Sequence, residues 1–428
     1  MARFDASRLT RGLVGNVSAQ ALAFLAQLVT QVLSVAVLAP LWGAEQYGAW
    51  LILFTVPGYV TLLALGFTGA AGNELTAAVA QDRRTDAMQI YAGIRGAFAL
   101  LALAVLAMLA LITVSGVIPH SLLQFARPYS AADPLFAVTL LVVYAIATFQ
   151  ATTWAIALRA TDGYAKGMYV FAATALIETV LVLMVAVGGG DFIAVSATYA
   201  GVRIAGFAVQ NLVIRLHAPW LARAGYRIRR AALAPLVRPA LALAVMPLAY
   251  AVQIQGLIVV LGAAAGLAAV PVFTTIRTLS RFATQASSVV TNGSMPEITR
   301  AFAKREGERL GDILAVNLVL AMALTIPTAL VLALGGPLLV RWWTSGAVEV
   351  GLATSTLMGA AQVFGSLWLV LGNVILALNK QALYSYAMLG LALASLGITA
   401  LLASRFGATG AAAGQLTFDC LLLVWLVR

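Results

Sequence analysis

Two arginines lie inside an apolar stretch that is long enough to cross a lipid bilayer. Arg277 and Arg281 are four residues apart within the predicted helix 271–292. A charge at the centre of a membrane helix costs about 2.5–3.5 kcal/mol, so such a pair requires water, a counter-ion or a ligand. A guanidinium presents a planar fork of donors that suits phosphate. The pair therefore favours an anionic ligand or a water-lined cavity.

The same predicted helix carries a continuous polar stripe. Its polar residues recur at intervals of three or four and so share one helical face: Thr274, Arg277, Arg281, Gln285, Ser288 and Asn292. A membrane helix with one polar face is typical of the wall of a hydrated interior. Gln285 is therefore grouped with the two arginines as a candidate substrate-binding residue.

Four intramembrane charges are predicted at a common depth. Glu178, Arg203, Arg281 and Asp419 each lie roughly ten residues from the nearest predicted loop, which is about 15 Å at 1.5 Å per residue. Glu178 and Arg203 lie on neighbouring helices of a predicted hairpin. They either neutralise one another as a packing pair or take part directly in transport. Asp419 is a candidate counter-ion for Arg281.

Further polar residues extend the candidate set. The predicted helix 13–39 carries Gln20 and Gln27 on a second polar stripe. Hydrogen bonding between helices explains that stripe nearly as well as substrate contact does. Glu74 lies near the cytoplasmic end of the predicted helix 49–71, where its carboxylate reaches water. With Glu178 and Asp419, it is a candidate for charge pairing or ion coupling.

The composition is that of an integral membrane protein. Hydrophobic residues make up 62% of the 428 residues and charged residues 10%, whereas soluble domains average about 25% charged. The single cysteine, Cys420, excludes a disulfide framework, and His120 and His217 are too far apart in sequence to suggest a metal site. The sequence also lacks nucleophile–base sets and phosphate-binding loops. We therefore expect no enzyme activity, cofactor or metal.

Hydropathy and turn residues predict an all-α polytopic membrane protein of about twelve transmembrane helices. With a cytoplasmic N-terminus, 20 of the 26 Lys and Arg residues fall in cytoplasmic segments and 3 in periplasmic loops. This bias explains the net charge of +11 without nucleic acid. It predicts a multi-pass protein of the bacterial inner membrane with both termini in the cytoplasm. The predicted spans are 13–39, 49–71, 93–115, 134–157, 167–187, 193–214, 239–262, 271–292, 312–335, 351–376, 383–404 and 409–427.

A long basic loop divides these spans into two sets of six. We expect an N-terminal lobe at 1–220, a basic cytoplasmic linker at 221–238 and a C-terminal lobe at 239–428 around a central cavity. The linker either binds anionic membrane lipids or only fixes the topology. After the first helix of each half, a glycine is followed seven residues later by an aromatic residue: Gly43 and Trp50, Gly266 and Phe273. This spacing predicts a parallel internal repeat.

Three segments resemble the polysaccharide-transporter branch of the multidrug/oligosaccharidyl-lipid/polysaccharide exporter superfamily. LWGAEQYGAW at 41–50 is similar to the short Gly-x-x-x-Tyr-Gly link between helices 1 and 2. MPEITR at 295–300, followed by a charged helix, resembles the end of helix 8. FGATGAAAGQ at 406–415 is similar to the Gly-x-x-Gly-x-Ala entry to the last helix. The resemblance covers nearly the whole chain.

The resemblance implies two six-helix lobes around a cationic cavity that work by alternating access. Members of this branch are flippases that move undecaprenyl-diphosphate-linked oligosaccharide units from the cytoplasmic to the periplasmic leaflet. In the family, arginines of helix 8 and polar residues of helix 1 face the cavity, which matches Arg277, Arg281, Gln20 and Gln27. Arg203 joins this candidate substrate-binding set.

Two other functions stay open at this point. A cation-coupled multidrug antiporter of the same superfamily usually carries an acidic residue in helix 1, and this helix 1 has none. A membrane enzyme of the same pathway needs a sizeable periplasmic loop, and the largest predicted loop spans only 116–133. A coupling ion, H⁺ or Na⁺, is not specified by the sequence.

Overall fold

The computed structural model describes residues 6–115, 120–226, 245–377 and 381–428. Helices joined by short turns form these ranges, and strands are absent from them. The described parts of the predicted spans are helical apart from Phe54 and Gly351, so the all-α prediction is confirmed. Residues 239–244 of the seventh predicted span lie outside the described residues. The helices are α1 (Ala6–Leu53), α2 (Thr55–Ala80), α3 (Arg84–Ser115), α4 (Pro134–Ala160), α5 (Tyr164–Val187), α6 (Phe192–His217), α7 (Val245–Ala265), α8 (Ala269–Ala303), α9 (Gly307–Trp343), α10 (Leu352–Ala377) and α11 (Gln381–Val427).

Nine helical segments of the described ranges are long and apolar enough to cross a membrane. Two of these contain 44 and 46 residues, or about 66 and 69 Å at 1.5 Å per residue. That is about twice a hydrocarbon core of roughly 30 Å. Both bend at a glycine with positive φ, Gly43 in α1 and Gly407 in α11. The two halves of α11 are antiparallel, because the rings of Tyr384 and Trp425 lie 6.4 Å apart.

The two glycines of the predicted repeat share an unusual backbone conformation. Gly43 has φ 69° and ψ 176°, and Gly266 has φ 88° and ψ 167°. Residues with a Cβ rarely adopt a positive φ, so glycine is required at both bends. The aromatic residues seven positions later, Trp50 and Phe273, are both buried. The matching geometry supports the parallel repeat.

The chain forms two compact units that are interleaved in sequence. Unit 1 contains Met1–Ser34 and Val56–Ala244, and unit 2 contains Val35–Thr55 and Val245–Arg428. The segment around the Gly43 bend belongs to unit 2 because Gly48 lies directly against the backbone carbonyl of Leu267. The predicted linker 221–238 is described only as far as Tyr226, and its remainder lies outside the described residues.

In unit 1, the start of the predicted linker packs on α3. Arg95 is buried, and its guanidinium lies 5.0 Å from the centroid of the Trp154 ring and 3.9 Å from that of Tyr226. It also donates a hydrogen bond to the Ala224 carbonyl oxygen at 2.8 Å. Arg95 therefore holds the residues after α6 against the helix bundle.

In unit 2, α8 continues beyond its predicted end. The predicted end of this helix at residue 292 is wrong, because the helix runs without a break through Gly293 and Pro296 to Ala303. Contacts with α9 explain the extension: Asn317 Nδ2 donates to Ser294 Oγ at 2.7 Å, and Ile298 is buried. The side chain of Asn292, the last member of the predicted polar stripe, lies outside the described residues.

Candidate functional site

A cavity of about 240 Å³ in unit 2 contains the two arginines of the predicted stripe. Arg281 is exposed on its wall, whereas Arg277 is half-buried. Gln285 and Ser288 follow on the same face of α8. The structure therefore brings together four members of that stripe. Thr284 of α8 also lines the cavity. The remaining lining residues come from α7, α10 and α11, and the polar ones among them are Tyr250, Gln253, Gln362, Trp368, Gln415 and Asp419.

Arg277 is held in place by backbone and aromatic contacts. Its Nη1 donates to the carbonyl oxygen of Ile254 at 3.1 Å, and its guanidinium lies 5.1 Å from the centroid of the Phe273 ring. Ile254 lies in a π-helical turn of α7, Val252–Gly256. Such single π turns alter the backbone hydrogen-bond pattern and are frequent at functional sites. One donor of Arg277 is thus committed to this turn.

Arg281 is the less restrained of the two cations. Among the described residues it has no hydrogen-bond or ion-pair partner, and it is exposed to the cavity. The predicted ion pair between Arg281 and Asp419 is not formed. Instead, Asp419 accepts a hydrogen bond from Trp368 Nε1 at 2.9 Å and another from Gln415 Nε2 at 3.0 Å. Both oxygens of the carboxylate are engaged by uncharged donors, which leaves Arg281 available to a ligand.

A network of amides and an indole behind Asp419 was missed by the sequence analysis. Gln253 Nε2 donates to Gln415 Oε1 at 2.8 Å, and Gln415 in turn donates to Asp419. The four-residue spacing of Gln415 and Asp419, which puts them on one helical face, was a readable signal. The parts played by Gln253 and Trp368 could not be read, because they come from helices distant in sequence.

The cavity also offers an acceptor that the protein does not satisfy. Gln285 Oε1 is buried and lacks a hydrogen-bond partner among the described residues. Thr284 Oγ1, also on the cavity wall, is in the same situation. Buried polar atoms are normally paired, so such atoms call for an explanation. An unpaired amide oxygen on a cavity-lining residue can accept a hydrogen bond from a hydroxyl-bearing ligand.

The second pair of predicted charges forms a closed cluster in unit 1. Arg203 Nη2 lies 2.7 Å from the Glu178 carboxylate and donates to Tyr144 Oη at 3.1 Å. Both charged residues are buried. Arg203 also borders a separate cavity of about 220 Å³, together with Gln210. Arg203 is therefore neutralised by its hairpin partner, and it lies in a different unit from Arg277 and Arg281.

The candidates on α1 and α2 also lie in unit 1. Gln20 is exposed, and its Oε1 accepts a hydrogen bond from Tyr164 Oη of α5. Gln27 is exposed on the same helix, whereas Ala23 and Ala26 pack against Ala172 of α5. The α1 stripe therefore both contacts a helix and presents polar groups outward. Glu74 is exposed near the end of α2.

The charges around the unit 2 cavity are unequal in sign. Two arginines and one carboxylate line it, which gives a formal charge of +1 when all three are ionised. Clusters of three or more metal-ligating side chains are absent from the described ranges. The arrangement can bind an anion through Arg281 and can offer amide groups to neighbouring hydroxyls.

Comparison with known proteins identifies the fold. No family model and no curated protein sequence matches the chain. Among solved structures, it is similar to a multidrug resistance MATE family transporter of the MOP superfamily in an inward-facing conformation, with a TM-score of 0.71 and 16% identity over 93% of this chain and 92% of that one. An outward-facing MATE structure gives a TM-score of 0.62 and 14% identity, covering 97% of this chain and 93% of that one.

The chain is also similar to the lipid II flippase MurJ in an inward closed conformation. The TM-score is 0.63 and the identity 13%, over 96% of this chain and 86% of that one. At such identities the likeness establishes a shared fold and does not distinguish between the activities of these proteins. The chain is a multi-pass membrane protein with the fold of MOP-superfamily transporters.

Proposed function

We propose that this chain is a flippase that moves undecaprenyl-diphosphate-linked oligosaccharide units from the cytoplasmic to the periplasmic leaflet by alternating access. Such a protein would serve surface polysaccharide synthesis in a bacterial inner membrane. The carrying observation is the arginine pair in the unit 2 cavity, of which Arg281 is exposed and lacks a described protein partner. The fold likeness to MATE transporters and to MurJ supports a transporter.

The substrate's headgroup explains why a cationic cavity is needed. A diphosphate is a dianion, and neither it nor the attached sugars can cross hydrocarbon unaided. Arg281 lies one helical turn from Arg277, so a diphosphate can contact both. Gln285 Oε1 and the neighbouring amides are available to sugar hydroxyls. The prenyl tail stays in lipid, and only the headgroup has to be sheltered.

The remaining candidates receive different proposed roles. Gln20 and Gln27, which are exposed on α1, are proposed to contact the sugars in addition to the unit 2 site. Arg203 is engaged by Glu178, so we assign this pair to packing of unit 1 and not to substrate binding. Glu74 is exposed and is assigned no role.

A cation-coupled multidrug antiporter is the alternative, and the MATE likeness favours it as much as it favours a flippase. The charge of the described cavity distinguishes the two. Two arginines against one carboxylate repel a cationic drug, whereas they attract a diphosphate. We therefore place the flippase first.

Replacement of Arg281 tests the proposal. In a strain that lacks the gene, we expect Arg281→Ala and Arg281→Lys to insert normally but to fail to restore surface polysaccharide. Lysine keeps the charge but loses the planar fork, so it is a poor substitute at a phosphate site. Loss of one charge-assisted contact, about 1.5–3 kcal/mol, predicts roughly 10- to 100-fold weaker binding of a prenyl diphosphate. Lipid-linked units should accumulate on the cytoplasmic leaflet.

A matched control is an arginine outside the cavity. Arg309 is exposed near the start of α9 and contacts only Glu306 among the described ion pairs, so Arg309→Ala should complement fully. Full complementation by the double replacement of Arg277 and Arg281 with alanine, at normal protein levels, would exclude this cavity as the substrate site.

A further inference from the structure

Asp419 is a buried carboxylate that lacks a cation partner. It is 3% exposed and lies on the wall of the same cavity as Arg281. Trp368 and Gln415 donate to its two oxygens, and among the described ion pairs none involves it. A buried carboxylate that is neither paired nor protonated is costly, because low-polarity surroundings disfavour its charged form. The fold must therefore neutralise this group in some state.

The two units show that Asp419 occupies a special position. Arg203 and Asp419 are each the twelfth residue of the last helix of their unit, counted from Phe192 and from Ala408 after the Gly407 bend. Each also contacts an aromatic side chain on the fourth helix of its unit, Tyr144 and Trp368. Equivalent sites thus carry opposite charges.

Among the described residues, only one of these two charges has a partner of opposite charge within the protein. In unit 1 the preceding helix, α5, supplies Glu178 to Arg203. In unit 2 the preceding helix is the first half of α11, 381–406, and its sole basic residue is Arg405, beside the Gly407 bend. Arg405 is therefore about three turns from the level of Asp419. The neutralising charge for Asp419 must come from the cavity or from solvent.

The net charge of the cavity with its ligand bound indicates which source neutralises Asp419. With Asp419 ionised, the lining carries +1, and a bound dianion would bring the cavity to −1. With a proton on Asp419, the lining carries +2 and the complex is neutral, which is favoured where water is scarce. We infer that Asp419 takes up a proton when the cavity binds its anionic ligand, so that anion binding and protonation are coupled. This inference rests on the proposed anion site.

A proton fits the geometry of this site better than a metal ion does. N–H groups of Trp368 and Gln415 point at both carboxylate oxygens, and such donors cannot act as ligands for a cation such as Na⁺. A carboxylate has about four lone-pair sites, so a proton can be added without breaking either hydrogen bond. The indole of Trp368 is a donor only. Its hydrogen bond to Asp419 therefore does not depend on how the Gln415 amide is oriented.

Other titratable groups near Asp419 do not compete for this role. Tyr250 comes from α7, Tyr384 from the first half of α11 and Cys420 from the adjacent position. These three are neutral in their ordinary state at pH 7. Arg277 and Arg281 of α8 remain protonated, as arginine does in proteins. The carboxylate is therefore the group in this cavity to which we assign the change of charge.

Calorimetry on the purified full-length chain in detergent tests the coupling. Farnesyl diphosphate serves as a short-chain prenyl diphosphate probe, titrated at pH 7.5 in two buffers of different ionisation enthalpy. We expect wild type to take up more protons per bound probe than Asp419→Asn, by up to about one. The difference between the two proteins cancels the protonation of the probe itself. Because binding takes up a proton, wild-type affinity should fall as pH rises, by up to about tenfold per unit.

Two further variants make the result specific. Glu308→Gln alters an exposed carboxylate in the first turn of α9 and should leave proton uptake as in wild type. Trp368→Phe removes one donor to the ionised carboxylate, so proton uptake should shift to more alkaline pH. If Asp419→Asn does not fold, the shift in Trp368→Phe tests whether Asp419 takes up the proton.

The possible outcomes separate the inference from the proposed function. Binding of the probe with equal proton uptake in wild type and Asp419→Asn overturns the inference and leaves the anion site intact. If wild type does not bind the probe, or if Arg281→Ala binds it equally well, the anion site itself is overturned and the inference with it.

Discussion

Arg281 and Arg203 are both arginines within membrane-spanning helices, but the protein surrounds them differently. Arg203 is closed off by a carboxylate at 2.7 Å and a tyrosine hydroxyl at 3.1 Å. Arg281 is exposed in a cavity and has no described hydrogen-bond partner. The first arrangement neutralises the guanidinium within the fold, whereas the second leaves it for a ligand.

The ion pair between Arg203 and Glu178 can be tested by measuring protein stability, without a transport assay. Glu178→Gln and Arg203→Met should each destabilise the protein by about 3–5 kcal/mol, because each strands a buried charge. The double variant should cost clearly less than the sum of the two. Unfolding in detergent, followed as a double-mutant cycle, measures this coupling. Strictly additive losses would contradict the pairing.

The exposed pair of Arg83 and Asp86 is the matched control for that cycle. Its N–O distance is 2.9 Å, but the side chains are 47% and 50% exposed. Exposed pairs contribute about 0–1 kcal/mol. The same cycle on Arg83 and Asp86 should therefore give little or no coupling.

At the scale of the helices, glycines and a π turn decide where the polar groups lie. The bend at Gly407 divides one long apolar segment into two antiparallel halves, and the bend at Gly43 changes the direction of another. The π turn of α7 places the Ile254 carbonyl where Arg277 can donate to it. The site is therefore positioned by breaks in regular helix as much as by the helices themselves.

Gly48 provides a test of how residues 35–55 are held in unit 2. A Cβ at this position would collide with the Leu267 carbonyl oxygen, which cannot move away as a flexible side chain can. We expect Gly48→Ala to destabilise the protein by about 1–3 kcal/mol, as overpacking does. The midpoint of thermal unfolding in detergent reports this loss.

Gly335 is the control for the glycine substitution. It lies inside α9, and nothing lies within 4 Å of where its Cβ would be. Gly335→Ala should be neutral or stabilising by up to about 1 kcal/mol, because alanine favours helix. Equal effects of the two substitutions would argue against the close approach at Gly48.

At the scale of the whole molecule, the open question is orientation in the membrane. The bias of basic residues predicts cytoplasmic termini. In a background in which Cys420 is replaced by alanine, single cysteines at the exposed positions Thr85 and Gly225 should resist an impermeant thiol reagent in intact cells. A cysteine at the exposed Ala131 should be labelled. Labelling of Gly225→Cys from outside would overturn the orientation.

The sequence by itself determined the class of protein and the location of its helices. Apolar runs must be helical in a bilayer, since backbone groups there have to be satisfied internally. Helix periodicity is a local property, and so the stripe of Arg277, Arg281 and Gln285 could be read directly. The pairing of Glu178 with Arg203 was predictable for the same reason, because a short hairpin brings them together.

Only the tertiary structure decided what surrounds each charge. Asp419 was a candidate counter-ion for Arg281, but Trp368 and Gln415 engage its oxygens instead. The α8 helix passes through Gly293 and Pro296 because α9 packs against its extension. Such choices depend on side chains from separate helices, such as Trp368, which is 51 residues from Asp419, or on packing that no local pattern encodes. The sequence therefore determined which polar groups enter the membrane, and the packing of distant helices determined which of them remain open to a ligand.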